Sequence, residues 1–371
     1  MRVAVKKCDD YSGERVYDAL KATLGLLGGM EAFAKAGEKV LIKPNLLMPC
    51  APAKAATTHP EVIRAVIKLV REANALPMIG ECPGGIFTPS YLRLVYSQCG
   101  IAKIAQEENC PIFYDFTETV VESPDAEIEK RPIVASFYLE CDKIIDVAKL
   151  KTHGFMGYSG AVKNMFGAVP GVYKAQYHLK FPKTEDFAAA IVDIFQAMKP
   201  ALCIVDGVIG MEGNGPSGGT PRAIGALIAG ENGHAVDCVC AKMVSMEPAE
   251  IWTLANAATR NLVNFDEEER IGDDFSAITD FLPPDNQRGR KSSKSGKLRR
   301  VAERFLKTYP RFVHAKCTGC AICAKNCPPK AISMTNKRPQ LDKKLCISCL
   351  CCHELCPSLA IDIKRFLRAK I

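Results

Sequence analysis

The first two thirds of the chain switch repeatedly between short apolar, β-branched runs and longer stretches with apolar positions three and four apart. The short runs predict strands at residues 3–5, 39–42, 77–79, 143–147, 202–205 and 226–229, since strands buried on both faces of a parallel sheet read as near-continuous apolar runs. Helical spacing predicts helices over 14–27, 60–74, 90–98, 184–198 and 236–245. The second has Pro60 at its first position, where the fixed φ of proline suits a helix, with His59 just before it. Such alternation is the signature of an α/β domain, a mostly parallel sheet with helices on both faces, expected over residues 1–282.

Periodicity then fails. The acidic run 266–269, the pair Pro283 and Pro284 and the Lys/Arg/Ser/Gly stretch to Arg300 read as a linker, placed at 283–310, with a helix resuming over 297–309. Residues 311–371 carry an internal duplication: CTGCAICAKNCPPKAI from Cys317 and CISCLCCHELCPSLAI from Cys346. Each half is CxxCxxCxxxCP, the run in which three cysteines wrap one face of an iron-sulfur cubane and the fourth ligates the other cluster. The pattern predicts one [4Fe-4S] cluster on Cys317, Cys320, Cys323 and Cys356 and a second on Cys346, Cys349, Cys352 and Cys327. Zinc also accepts four thiolates, but zinc ribbons use separated CxxC pairs and need neither a third cysteine in series nor a following proline. Cys351 aligns with Ile322 across the repeat and reads as a core substitution. The expected second unit is a small α+β bacterial-type ferredoxin domain with two [4Fe-4S] clusters, which should not fold without them.

Composition narrows the setting. Eighteen cysteines with no secretory pattern argue for a reducing, cytoplasmic and anaerobic environment and against a disulfide framework. The cysteines outside the motif, such as Cys203 within an apolar run, read mainly as small core hydrophobes. No run approaches the roughly 18 apolar residues of a membrane span. The formal net charge of +8 is concentrated between Asp285 and Arg300, so it describes a tether. That segment lacks interleaved aromatics, which disfavours a nucleic-acid partner.

Polar residues of the large domain gather directly after strands, where ligands bind in open α/β sheets. These segments are KPNLL from Lys43, GECPGG from Gly80, AKLKTHG from Ala148 and DGVIGMEGNGPSGGTPR from Asp206. Lys43, Lys149, Lys151, Lys163 and Arg222 supply cations, Asn45, Asn164 and Asn214 neutral donors, and the glycine-rich turns backbone N–H groups, a combination suited to an anion. Each lysine alone could be solvated rim; the set argues for a ligand. Glu81 and Asp206 at strand ends could bind a cation, act as acid or base, or cap a loop. Cys82 reads as a buried thiol rather than a reactive one. His153 and His178 are flanked by cations, which keeps imidazole neutral and suits a base or ligand. GNGPSG from Gly213 matches a dinucleotide pattern only formally, lying well past its strand and containing Pro216.

The ordered set KPNLL, HPEV, GECPGG, AKLKTHG, AVKNMFGAVPG and DGVIGMEGNGPSGGTPR resembles the family called domain of unknown function 362, over about residues 3–262. The resemblance implies an α/β domain often joined to a ferredoxin domain, iron-sulfur binding and no settled reaction, so it carries over no catalytic residue. The leading expectation is an oxidoreductase whose clusters pass electrons to or from a small anionic substrate or cofactor in the large domain. Lys43, Lys149, Lys151, His153, Lys163 and His178 are its candidate catalytic residues, and Asn45, Glu81, Asn164, Asp206, Asn214 and Arg222 its candidate binding residues. Two alternatives are a carrier or subunit docking a partner oxidoreductase, and a maturation factor delivering clusters.

Overall fold

The computed structural model describes residues 1–85, 88–115, 117–287 and 306–367. One eight-stranded sheet organises residues 1–287. Its strands are β1 (Arg2–Lys7), β2 (Lys39–Pro44), β3 (Leu76–Ile79), β6 (Lys143–His153), β7 (Gly157–Ser159), β8 (Leu202–Glu212), β9 (Thr220–Gly230) and β10 (Glu269–Gly272), in the order β10-β1-β9-β8-β6-β2-β3 with β7 folded back onto β6. Neighbours run parallel except that β9 opposes β1 and β8, and β7 opposes β6. A separate ribbon pairs β4 (Glu118–Val120) with β5 (Ile133–Ala135).

Helices cover both faces, because alternate strand residues point to opposite sides and both sides are apolar. Val40, Ile42, Leu202 and Ile204 pack with α1 (Gly13–Gly25), α2 (Pro60–Glu72), α3 (Pro89–Gln98) and α4 (Ile101–Glu107). Leu41, Ile144, Cys203 and Val205 pack with α5 (Ala161–Asn164), α6 (Gly171–Lys180), α7 (Thr184–Met198), α8 (Gly233–Met243) and α9 (Trp252–Thr259). Each fully buried Leu, Ile or Val contributes about 1.5–3 kcal/mol. Caps fix the helix starts: His59 Nδ1 accepts from Glu61 N ahead of α2, and Asn232 Oδ1 accepts from His234 N and Ala235 N at α8.

Every predicted strand of the α/β region falls within an observed one and every predicted helix overlaps one, three of them running two residues past its end, but three expectations are corrected. The polar segments after residues 147 and 205 are not loops. β6 continues to His153 between β7 and β8, and β8 pairs with β9 out to Glu212 opposite Thr220, leaving only a tip at 213–219. The linker does not begin at residue 266, because Glu269–Gly272 forms an edge strand beside β1, and Phe281 is buried in the core beyond it. The chain then lies along the β8–β9 tip, where Gly213 N donates to Leu282 O at 2.7 Å and Asp285 N to Asn214 Oδ1 at 2.9 Å. The helix expected over 297–309 is contradicted at its end. Residues 306–309 belong to β11 (Leu306–Phe312), whose ladder with β14 (Ile361–Leu367) satisfies their backbone groups. The remainder of that helix, with most of the basic stretch, lies outside the described residues.

β11 and β14 close a small cysteine-rich unit that also holds the hairpin β12 (Ile332–Thr335) to β13 (Arg338–Leu341). The sequence duplication is also a backbone duplication. Left-handed conformations recur at Gly319 and Ser348, Ala321 and Leu350, and Lys330 and Leu359, in matching places of the two halves. Five of these six residues are not glycine, so the turns are imposed against the ordinary steric preference of L-residues. Short helices, Ile322–Lys325 and Cys351–Glu354, follow in each half. No helix among the described residues is long and apolar enough to cross a membrane.

Candidate functional site

β2, β3 and β6 lie side by side and parallel, so their carboxyl ends open at one edge of the sheet. Lys43 ends β2, Glu81 follows β3, and Lys151 and His153 end β6. All four are almost completely buried, and with Asn45, Lys163, Asn164 and His178 they line a cavity of about 100 Å³. The opposite wall is supplied by the cysteine-rich unit through Asn326, Cys351, Glu354 and Leu355. The cavity is therefore a seam between the two parts of the chain.

Its floor is a hydrogen-bonded net. Lys43 Nζ donates to Glu81 Oε2 at 2.5 Å, Asn164 Oδ1 at 2.8 Å and Pro44 O at 3.0 Å. Asn45 Nδ2 donates to the same Asn164 oxygen at 2.8 Å, while Asn45 Oδ1 accepts from Lys151 Nζ at 2.6 Å. Asn164 Nδ2 donates to Asp146 Oδ1 at 2.7 Å. Burial raises the Asp146 carboxyl well above the carboxylate range, and its Oδ2 has no partner among the described residues.

The cations are unevenly paired. Lys151 donates only to the neutral Asn45 oxygen and to Ala56 O at 2.6 Å, and burial pushes it down to about 7. Lys163 has no hydrogen-bond partner among the described residues, and burial lowers it too. Lys174 donates to the Cys82 carbonyl and is pushed down to about 8 by burial. Lys174 comes from α6, whose Gly171, Lys174, Ala175 and His178 present one helical face to the cavity.

Both cavity histidines are neutral, burial holding each down at about 4. His153 Nδ1 accepts from Phe155 N and Met156 N, both at 3.2 Å, which leaves the proton on Nε2. That Nε2 lies 3.1 Å from Glu354 Oε1, in contact across the seam but out of line for a full hydrogen bond. His178 stacks on Phe187 with ring centroids 4.2 Å apart, and its Nδ1 has no partner. Burial alone would push Glu354 up; His153, Lys163 and His178, all cationic at the low pH where Glu354 titrates, outweigh that and hold it at about 2. Burial raises Cys82, also on the wall, to about 12, so it is an inert thiol.

Four predicted residues lie elsewhere. Lys149 Nζ meets Asp206 Oδ2 at 2.9 Å and Tyr11 OH at 2.7 Å, and Asp206 also accepts from Tyr11 OH and His59 N. Lys149 and Asp206 are buried, and the half-buried Tyr11 stacks on His59 with centroids 3.6 Å apart. Asn214 binds Asp285 through its side chain, and its carbonyl lies 3.0 Å from His353 Nε2. Arg222 pairs with Asp280 at 2.6 Å on the surface. The β8–β9 tip thus serves the seam, with Pro216 alone reaching the cavity. Sequence reasoning missed Lys174, Asp146 and Glu354. Lys174 carried a usable signal, one helical turn before His178, whereas Glu354 sits inside the cysteine motif, where its neighbours claimed attention.

The motif cysteines fall into two sets. Cys317, Cys320, Cys323 and Cys356 rim one small cavity, and Cys327, Cys346, Cys349 and Cys352 rim another. Sulfurs in both receive backbone N–H groups, from Gly319 to Cys317 at 3.4 Å, Ala360 to Cys356 at 3.2 Å and Ala331 to Cys327 at 3.2 Å. Among the described residues no three His, Cys, Asp or Glu side chains converge as ligands of a single ion. The sets differ in exposure and in their sequence neighbours on the seam wall. Cys320 is exposed, whereas Cys349 and Cys352 flank Cys351 on the seam wall, and Asn326 on that wall precedes Cys327.

The family described as "Domain of unknown function (DUF362)" matches residues 40–242, which include every large-domain residue of the cavity. The chain belongs to this family. Its match ends well before the cysteine-rich unit, which the family does not describe. Among curated relatives, the chain is 34% identical over 254 residues to the thylakoid-associated protein sll1697 of Synechocystis sp., covering 68% of this chain and 77% of that protein. Among solved structures, it is similar to a lactate racemase apoprotein from Thermoanaerobacterium thermosaccharolyticum, with a TM-score of 0.41, 13% identity and coverage of 66% of this chain and 56% of the other. A protein of Thermotoga maritima gives a TM-score of 0.37 and 13% identity over 65% of this chain and 60% of that one. The chain thus spans less than two thirds of either solved structure.

Proposed function

We propose that the protein is an iron-sulfur oxidoreductase that exchanges electrons with a small anion held in the seam cavity. The observation that carries this reading is the shared wall: Asn326, Cys351 and Glu354, which line the cavity, are neighbours in sequence of Cys327, Cys349, Cys352 and Cys356. In this reading the two crossed cysteine sets each hold a [4Fe-4S] cluster, with the observed backbone N–H groups moderating charge on sulfur. The clusters supply single-electron transfer. The rest is done by side chains. Lys151, Lys163 and Lys174 bind and orient the anion, the Asn45–Asn164–Lys43 net fixes Lys151 and Glu81, and Phe166, Phe187 and Leu355 limit water. Lys163 Nζ, which has no other hydrogen-bond partner among the described residues, can give a proton as charge arrives.

A cavity on this seam favours such a reaction over a carrier that merely docks another protein, which needs no enclosed cationic space. Anaerobically purified protein is expected to hold about eight irons per chain. Reduced with dithionite and freed of excess reductant, it should reoxidise when mixed with an oxidising small anion, followed at the visible cluster absorption. Lys163→Ala should slow that step by about tenfold or more with iron content unchanged. Full iron content with no reoxidation by any small anion would rule the oxidoreductase out.

A further inference from the structure

Four lysines and two carboxylates surround the cavity, and only one ion pair forms between them, Lys43 with Glu81. Lys43 places its ammonium against three acceptors. Lys151 meets neutral oxygens, Lys174 a carbonyl, and Lys163 nothing among the described residues. Glu354, across the seam, is the one carboxylate left facing the other three lysines, so with the histidines neutral four amines that can carry charge meet two carboxylates. Burying charge without its counter-charge is unfavourable, and a ligand bearing the missing negative charge removes the penalty.

The amines are also spread out. Lys151 on β6 is anchored by Asn45 Oδ1 and Ala56 O, whereas Lys174 is anchored by Cys82 O beyond β3, two strands away in the sheet, and Lys163 is close enough to act electrostatically on both. Donors strung out in this way, beside the rings of Phe166 and Phe187 and the side chain of Leu355, differ from the converging backbone nest that suits a single phosphate. They match two separated oxyanions joined by a short apolar spacer.

We infer that the crevice binds a small dicarboxylate, Lys151 and Lys174 each engaging one carboxylate and Lys163 bridging them. The cavity of about 100 Å³ limits the spacer to a few carbons. This rests on the reading above that the seam takes a small anion, and it names the class.

The test is anaerobic calorimetry of the holoprotein with malonate, succinate, glutarate, butyrate and inorganic phosphate as probes. At least one dicarboxylate is expected to bind about tenfold or more tightly than butyrate and phosphate. Lys163→Ala should weaken that dicarboxylate by about tenfold or more, and Lys163→Arg should restore much of the loss, with circular dichroism and cluster absorption unchanged in both. Dicarboxylates no tighter than butyrate, phosphate as the tightest ligand, or an unaffected Lys163→Ala variant would each overturn the inference. Dicarboxylate binding without any redox response of the clusters would instead overturn the oxidoreductase reading and leave this one standing.

Discussion

Lys149 and Lys151 stand on the same face of one strand and meet opposite fates. Lys149 is enclosed with Asp206 and Tyr11, so its charge is matched and unavailable. Asp206→Ala would strand that ammonium in the interior, and a loss of about 3–5 kcal/mol is expected, measurable by denaturant unfolding. Lys151 has only neutral partners and a value lowered to about 7 by burial. Lys163, Lys149, Glu354 and the Cys50 thiol are the charged and titratable groups that act on it. Because Lys151 and Lys174 titrate lower in the folded state, the unfolded chain binds more protons above pH 7, and stability of the ligand-free protein should rise with pH through that window. A bound anion favours the protonated lysines. Its affinity should therefore fall as pH rises past about 8, and its binding at pH 8 should take up protons, read from calorimetry in buffers of different ionisation enthalpy. Cys351 tests the cysteine assignment at the same scale. Cys351→Ser is expected to keep about eight irons per chain, whereas Cys349→Ser should lose about half of them.

At the scale of elements, the sheet was legible because its strands are buried on both faces and announce themselves as apolar runs. What the pattern hid was where strands end. In β6, Ile145 and Val147 give way to Lys149, Lys151 and His153 on the same face, and a polar residue in a strand reads as loop unless its buried partner is known. The partners are Asp206, Asn45 and Glu354, far away in sequence. α6 was missed for a related reason: its inward face mixes Gly171, Lys174 and Ala175 with His178, so it lacks an apolar stripe although its spacing is helical. β11 was misread because its pairing partner β14 lies at the far end of the cysteine-rich unit. Gly154 shows how closely the parts approach, since a Cβ there would lie 2.5 Å from Ile363 Cδ1 and 3.2 Å from Leu350 Cδ1. Gly154→Leu should loosen the seam, raising protease sensitivity between the two parts and weakening anion binding while iron content is retained.

For the whole molecule, the sequence pointed to a cysteine-rich unit and a cationic crevice in one chain, and the structure gives the residues through which they meet. Eight of the twelve large-domain residues singled out beforehand line the cavity; Lys149, Asp206, Asn214 and Arg222 stabilise its surroundings instead. The two cysteine sets differ in place: the outer one has Cys320 exposed and adjoins the seam wall at Cys356, next to Leu355, whereas the inner one adjoins it at Cys349 and Cys352, around Cys351, and at Cys327, next to Asn326. In the proposed reaction electrons enter at the outer set and leave from the inner one. The most direct measurement is a potentiometric titration followed by electron paramagnetic resonance, with and without a saturating dicarboxylate that calorimetry shows to bind. Negative charge beside the inner cluster should lower the midpoint of one signal and leave the other in place. Two unmoved midpoints with the ligand bound would contradict a link between the clusters and the crevice.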